Sequence, residues 1–341
     1  MVIKMKKVLI CISLFFLCIV DVHSIDFVGN SYIVLDSYNG IVLEEKNMHR
    51  IQSVASISKV MTAIIAIENG KLNDEYVIGE EVNKAWGSGV YIHIGDKITL
   101  QDLLYGLMLR SGNDAALCIA VNIAGSIDKF VEMMNNKAKE LNMEHTLFSN
   151  PTGLDEEDQG NQSCVYDMAI LMKYASENPI FNDIVSTKSY KRLDGGGVWK
   201  NKNRLLEEYE YCVGGKTGYT KKAKRTLITR AVKDDMAFII VTFNCGNDFE
   251  FHEEKYKECF KKYQNTYLLP KGIYKYHGHS FLIEKDIVGI KKKDKEVSFV
   301  MNDDRVNLVY DGICIKSYSC LSFLEIVGRY WSILLGDFIN G

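Results

Sequence analysis

An uncharged apolar run from Val8 to Val20 follows Lys4, Lys6 and Lys7. A bilayer takes about 20 apolar residues to cross, so this run is too short to span one and instead reads as an export signal. Val22 and Ser24 stand at the two positions a signal peptidase reads, which predicts cleavage after Ser24. Neither Cys11 nor Cys18 has the small preceding residue that lipidation needs. Beyond the signal, Tyr32 to Leu35 and Ile41 to Leu43 are apolar runs around Asn39-Gly40, a hairpin signature. Ser56 to Asn69, closed by Gly70, predicts a helix that is apolar on nearly every face and therefore belongs inside the domain. Thr99 and Asp102 resemble a capping box ahead of Leu103 to Leu109. Helical spacing returns at Ala115 to Ala124, Ile127 to Leu141 and Tyr166 to Ala175, and the turn-rich Asn150-Pro151-Thr152-Gly153 and the acidic Asp155 to Asp158 interrupt it. Strands follow at Thr226 to Val232 and Ala237 to Thr242, then a helix from Phe249 to Tyr263.

Strands at both ends with helices between predict one α/β domain whose sheet is closed by distant segments. The character changes near Leu269-Pro270-Lys271-Gly272 to short alternating segments with charged turns. The expected division is a signal peptide over 1–24, a main domain over 25–268, a small β-rich domain over 269–318 and an amphipathic helix over 319–341. In that last stretch Glu325, Arg329, Ser332 and Gly336 share a narrow polar face, opposite Phe323, Leu324, Val327, Trp331, Leu334 and Phe338. Attachment to a membrane surface is the expectation, with packing on its own domain or on a partner as the rival.

Composition narrows the class. The chain has 341 residues, 47% of them hydrophobic and 25% charged, which describes a globular protein rather than a disordered or fibrous one. Lys and Arg number 41 against 44 Asp and Glu, without a basic block, and this argues against a nucleic-acid partner. Without the signal, seven cysteines remain: Cys118, Cys164, Cys212, Cys245, Cys259, Cys314 and Cys320. They show no CxxC pair and no metal-ligand spacing, so they read mostly as small buried hydrophobes. His277-Gly278-His279 lacks further ligands nearby, and neither metal nor cofactor is expected.

Candidate chemistry begins with Ser56-Ile57-Ser58-Lys59, which puts a hydroxyl and an amine one helical turn apart. A serine alcohol needs a neighbouring base, and the apolar Val60 to Ile67 would favour a neutral lysine by penalising its charge. A helix N-terminus also aims backbone N–H groups at an oxyanion. The spacing alone carries little, because Ser126-Ile127-Asp128-Lys129 has it too in a solvated context. Ser111-Gly112-Asn113 lies between two helical runs, and Lys216-Thr217-Gly218 occurs once, after Val213-Gly214-Gly215. Chance agreement of all three, in this order and in these contexts, is improbable.

With these motifs, the chain resembles the low-molecular-mass penicillin-binding proteins of the D-alanyl-D-alanine carboxypeptidase family. The likeness covers roughly Ser31 to Tyr263, including Ser53 to Thr62, Leu109 to Ala116, Asn150 to Leu154 and Gly215 to Gly218. The resemblance implies the transpeptidase fold shared by penicillin-binding proteins and β-lactamases, an antiparallel sheet flanked by helices plus a helical cluster. It implies Ser56 as nucleophile, Lys59 as its base and Ser111 as proton relay to the leaving amine. Asn113, Lys216, Thr217, Gly218 and Tyr219 would bind substrate, and the backbone N–H groups of Ser56 and Tyr219 would form the oxyanion hole. The implied partners are a peptidoglycan stem peptide, β-lactams as covalent inhibitors, and the outer face of the cytoplasmic membrane or the cell wall. Endopeptidase, transpeptidase or β-lactamase work at the same site, and a wall-binding protein that has lost turnover, are the rivals. No ExxLN box follows the second motif, which counts against a class A β-lactamase. Ile57 and Ser58 stand where the family often has Thr. Lys221 to Arg225 reads as a solvated turn, with attraction of anionic substrate as the alternative.

Overall fold

The computed structural model describes residues 26–155, 160–193, 195–291, 295–322 and 324–327. The expected export signal, the acidic residues after Asp155 and most of the expected terminal helix lie outside these residues. Among the described residues no helix is long and apolar enough to cross a membrane.

The central sheet is built from β1 (Ser31–Asp36), β2 (Val42–Lys46), β3 (Cys212–Thr220), β4 (Lys224–Lys233) and β5 (Met236–Phe243). Its order is β2-β1-β5-β4-β3, antiparallel throughout, so the first hairpin pairs with a strand some two hundred residues later. The hairpin turns at Gly40, whose φ of 75° suits glycine. Every residue of β5 is buried, as expected of a strand covered on both faces. Alternation sorts the side chains by face. Ile33, Leu35, Ile239 and Val241 join the helical core, whereas Val34, Phe238 and Ile240 join the core on the other face.

The helical cluster comprises α1 (Lys59–Asn69), α2 (Leu100–Leu109), α3 (Asn113–Ala124), α4 (Ile127–Glu140), α5 (Val165–Ala175) and α6 (Pro179–Ser186). Residues 59–67 of α1 are all buried, which explains a helix apolar on all sides. A separate 3-10 turn, Ala55–Ser58, precedes it. Gly70 ends α1 in an extended conformation (φ −121°) rather than as a left-handed cap. Space explains it: a Cβ there would meet Leu100 Cδ2 at 2.5 Å and Ile123 Cδ1 at 2.9 Å. Half of the capping box is present, with Thr99 Oγ1 accepting from the Asp102 amide at 3.1 Å. The Asp102 carboxylate instead accepts from Tyr190 Oη and the Leu193 amide. Helix α6 is an element the periodicity did not predict, although Asn178 caps it and Pro179 opens it.

On the far face of the sheet, α7 (Leu205–Glu208) and α8 (Asp248–Lys262) cover the second core. A strand-rich region follows, from Asn265 to Ser319, in three small antiparallel sheets. Ile290 and Tyr310 from this region are buried in the second core, and Asn39 Nδ2 donates to the Val288 carbonyl at 3.0 Å. All seven described cysteines are free. Five are buried as expected, but Cys314 is exposed and Cys320 half-buried.

Candidate active site

Ser56 sits in the 3-10 turn ahead of α1. In a 3-10 turn the side chains at i and i+3 eclipse one another. Lys59 Nζ accordingly reaches Ser56 Oγ at 3.1 Å. Ala55, immediately before the serine, has φ 51°, a left-handed conformation uncommon outside glycine. Strain of this kind persists only where surrounding contacts hold it. Here Ser58 Oγ donates to the Ala55 carbonyl at 3.0 Å, and Gly153 packs so tightly on that carbonyl that no Cβ would fit.

Lys59 is fully buried, and its side-chain nitrogen lies within hydrogen-bond reach of Asn113 Oδ1 at 2.7 Å, of the Thr152 carbonyl and of Ser56 Oγ. None of these acceptors is a carboxylate. Burial pushes the Lys59 pKa well below the usual lysine range, and the nearby charges of Lys216 and Lys202 push the same way. Lys216 is also buried, and burial followed by Lys202 lowers its pKa to about 7.

Asn113 opens α3 and joins two parts of the site. Its oxygen accepts from Lys59, while Nδ2 donates to the Trp86 carbonyl. Next to it, the Asp114 carboxylate accepts from the backbone amides of Val90 and Tyr91. The loop from Trp86 to Tyr91 is thereby fastened to the helix start and forms one wall of a cavity of about 720 Å³. Ser56, Asn113, Asp155, Lys202, Tyr219 and Lys222 contribute to the other walls.

Ser111 lies in the turn between α2 and α3 with φ 64°. It lines a second lobe of the cleft, about 300 Å³, together with Ser56, Thr217, Gly218 and Tyr219. Among the described residues no hydrogen bond joins Ser111 to Ser56 or Lys59. Lys216 Nζ donates to the Thr217 carbonyl at 2.6 Å and does not bond the serine either. Gly218 faces the nucleophile: a Cβ there would stand 3.0 Å from the Ser56 amide nitrogen and 3.1 Å from that of Ile57. A side chain would thus crowd the amides that the start of the helix leaves free.

Two residues not singled out from the sequence shape this arrangement. Asp155 Oδ1 accepts from Ser53 Oγ at 2.6 Å, and its Oδ2 accepts from Thr220 Oγ1, which ties the approach to Ser56 to the end of β3. Lys202 lines both lobes and donates to Ser88 Oγ at 3.1 Å. Of the basic run, Lys221 and Lys222 border the cavity, whereas Arg225 pairs with Asp248.

The fold is that of the penicillin-binding DD-peptidases. A D-alanyl-D-alanine carboxypeptidase from Mycobacterium tuberculosis superposes with a TM-score of 0.66 at 28% identity, covering 70% of this chain and 94% of that one. The DacD carboxypeptidase of Francisella tularensis, at 21% identity, shares the fold over 94% of this chain and 96% of its own, with a TM-score of 0.70. The sequence profile of peptidase S11, D-alanyl-D-alanine carboxypeptidase, matches residues 20–247, and the chain belongs to that family. It is 36% identical to the D-alanyl-D-alanine carboxypeptidase DacF of Bacillus subtilis over 235 residues, 65% of this chain and 59% of that protein. The match thus spans less than two thirds of that relative.

Proposed function

We propose that the protein is a serine-type D-Ala-D-Ala carboxypeptidase that removes the terminal D-alanine from peptidoglycan stem pentapeptides through an acyl-enzyme on Ser56. The observation that carries this reading is the buried Lys59 nitrogen, 3.1 Å from Ser56 Oγ and hydrogen-bonded to uncharged acceptors. An amine kept from charging can take a proton.

In the proposed cycle, Ser56 Oγ attacks the carbonyl carbon of the penultimate D-alanine and its proton passes to Lys59. Backbone N–H groups of Ser56 and Tyr219 hold the oxyanion. The C–N bond then breaks, with Ser111 relaying the proton to the departing amine, and free D-alanine leaves. Water cleaves the ester and releases the shortened peptide with a new carboxylate. Asn113 positions both the substrate amide and Lys59, while Lys216 and Thr217 bind the terminal carboxylate and Gly218 leaves room beside the attacked carbonyl. A β-lactam opened by Ser56 keeps its amine tethered to the acyl group, so the leaving group blocks the cleft. Lys202, Lys221 and Lys222 give the cavity a cationic rim suited to an anionic peptide.

We also place the protein outside the cytoplasm, at the outer face of the membrane or in the wall, with residues 1–24 as signal and 319–341 as surface anchor. Labelled penicillin tests the reading: the expected adduct maps to Ser56, and a stem pentapeptide yields free D-alanine without joined products. An intact protein showing neither adduct nor D-alanine release would overturn it. Removal of residues 319–341 is expected to free the protein from membranes and leave peptide cleavage intact, and unchanged association would refute the anchor.

A further inference from the structure

A second chemical cluster lies outside the serine cleft. His49, His145 and Cys164 come from three separate segments, and their ligand-capable atoms all lie within 4.8 Å of one another. The imidazole rings face each other with centroids 5.0 Å apart. Cys164 is buried, His145 half-buried and His49 exposed, so the cluster opens to solvent on one side.

The surrounding frame is built rather than incidental. Asp167 is buried, and its Oδ2 accepts from the His145 amide at 2.8 Å and from Thr146 Oγ1 at 2.7 Å. Its Oδ1 stands 4.0 Å from His145 Nδ1. At that separation the carboxylate flanks the imidazole without hydrogen-bonding it, and a small shift of the ring would bring it into the carboxylate contact usual for metal-bound histidines. The turn carrying His49 is fastened by Tyr166 N donating to the Met48 carbonyl at 3.2 Å, and Cys164 holds the N-cap position of α5.

We propose that His49, His145 and Cys164 form a binding site for a zinc-class divalent ion. Two imidazoles and a thiolate suit a borderline-soft, tetrahedral ion, while hard cations such as magnesium and calcium want oxygen donors. Around a tetrahedral ion with bonds of about 2.0–2.3 Å, ligand atoms stand roughly 3.3–3.8 Å apart. Closure from separations of up to 4.8 Å therefore asks for about 1 Å of movement, and the exposed His49 ring is the ligand least held by packing. On binding, the Cys164 S–H bond is replaced by a metal–sulfur bond and the proton passes to water. Three protein ligands leave a fourth position for water on the open side.

The site has a structural consequence. Gln52 and Ser53, just before the nucleophile turn, pair with Ser163 and Gln162, just before Cys164. An ion held by His49 and Cys164 staples this short ladder at its end and so stiffens the segment that leads to Ser56. Sequence spacing did not reveal the set, because His49, His145 and Cys164 lie far apart along the chain and meet only on folding.

The test uses the full chain, stripped of metal and titrated with cobalt(II), the spectroscopic stand-in for zinc. One equivalent is expected to give the visible bands of tetrahedral cobalt together with sulfur-to-cobalt charge transfer, and zinc is expected to displace both. His49→Ala removes an exposed ring and is expected to weaken cobalt binding at least about tenfold. Cys164→Ser is expected to abolish the charge-transfer band; if that variant does not fold, His49→Ala and His145→Ala carry the test. A wild-type chain without the tetrahedral spectrum overturns the proposal. So does a spectrum that persists unchanged in the His49 and His145 variants, since the ion would then sit on other cysteines.

Discussion

Ser56 and Ser126 each stand three residues before a lysine at the start of a helix, yet the two pairs have opposite environments. Ser126 is extended (φ −160°, ψ 159°) and accepts from the Lys129 backbone amide at 3.2 Å, so it caps α4. Lys129 points to solvent. Ser56 lies inside a 3-10 turn that has no side-chain cap, and its hydroxyl meets the Lys59 side chain rather than a backbone amide of its own helix start. Identical spacing thus gives a helix cap in one place and a nucleophile–base pair in the other. What separates them is the backbone turn and the burial of the lysine.

The sharpest way to break this comparison is to exchange side chains in both pairs and follow acylation by labelled penicillin. Ser56→Ala is expected to abolish the adduct, and Ser126→Ala to leave it unchanged. Lys59→Met is expected to slow acylation by about 10³- to 10⁴-fold, the upper range for loss of a positioned base. Lys129→Met should acylate at the wild-type rate. Equal loss from the two lysine variants would show that burial is not what distinguishes them.

Lys216 extends the comparison to a second buried amine, with a smaller effect. Loss of a charge-assisted bond to the substrate carboxylate, worth about 1.5–3 kcal/mol, predicts a roughly 10- to 100-fold fall in kcat/KM for Lys216→Met. In the free protein the pKa of Lys216 is lowered to about 7 from 10.5. The unfolded chain therefore binds the extra proton between those values, and stability rises with pH across that window. Below about pH 7 both states carry the proton and the destabilisation is complete. Lys216→Met should accordingly be more stable than wild type at neutral pH, with the gap in Tm shrinking as pH approaches 10.5. A gap independent of pH would show that the charge is not its cause. The Lys216→Arg variant, which stays charged, should lack any loss of carboxylate-substrate affinity above neutral pH.

How much of this was legible follows from where the signals lie. The hairpin at Asn39-Gly40, the apolar α1 and the two strands after Lys216 are local patterns, and the structure has elements at each of them. The 3-10 turn is not legible, because its geometry depends on Gly153 and Thr152 pressing on Ala55 and Lys59 from some ninety residues away. Lys202 and Asp155 were likewise hidden, since each acts on the cleft only through folding. In the sequence Asp155 is part of an acidic run between helical segments, and in the structure it bridges Ser53 and Thr220. Gly70 does end the helix as the sequence suggests, and what its position demands is small size, since its φ of −121° is open to any residue.

The smallest effect separates stability from chemistry. Ser126→Ala removes a side-chain cap and is expected to cost about 1 kcal/mol, read as a shift in denaturant midpoint with unchanged slope. Ser56→Ala removes a hydroxyl whose hydrogen bonds go to the Lys59 amine and, at 3.5 Å, to the Thr152 carbonyl. With no cap to lose, it is expected to change stability by no more than about 0.5 kcal/mol, although it abolishes the adduct. The two serines thus exchange roles between the assays: the one that holds the fold is silent in acylation, and the one that carries the adduct is silent in unfolding. A Ser56→Ala variant as destabilised as Ser126→Ala would mean that its hydroxyl organises the turn, and the 3-10 geometry would then be a consequence of the serine rather than of the backbone contacts on Ala55.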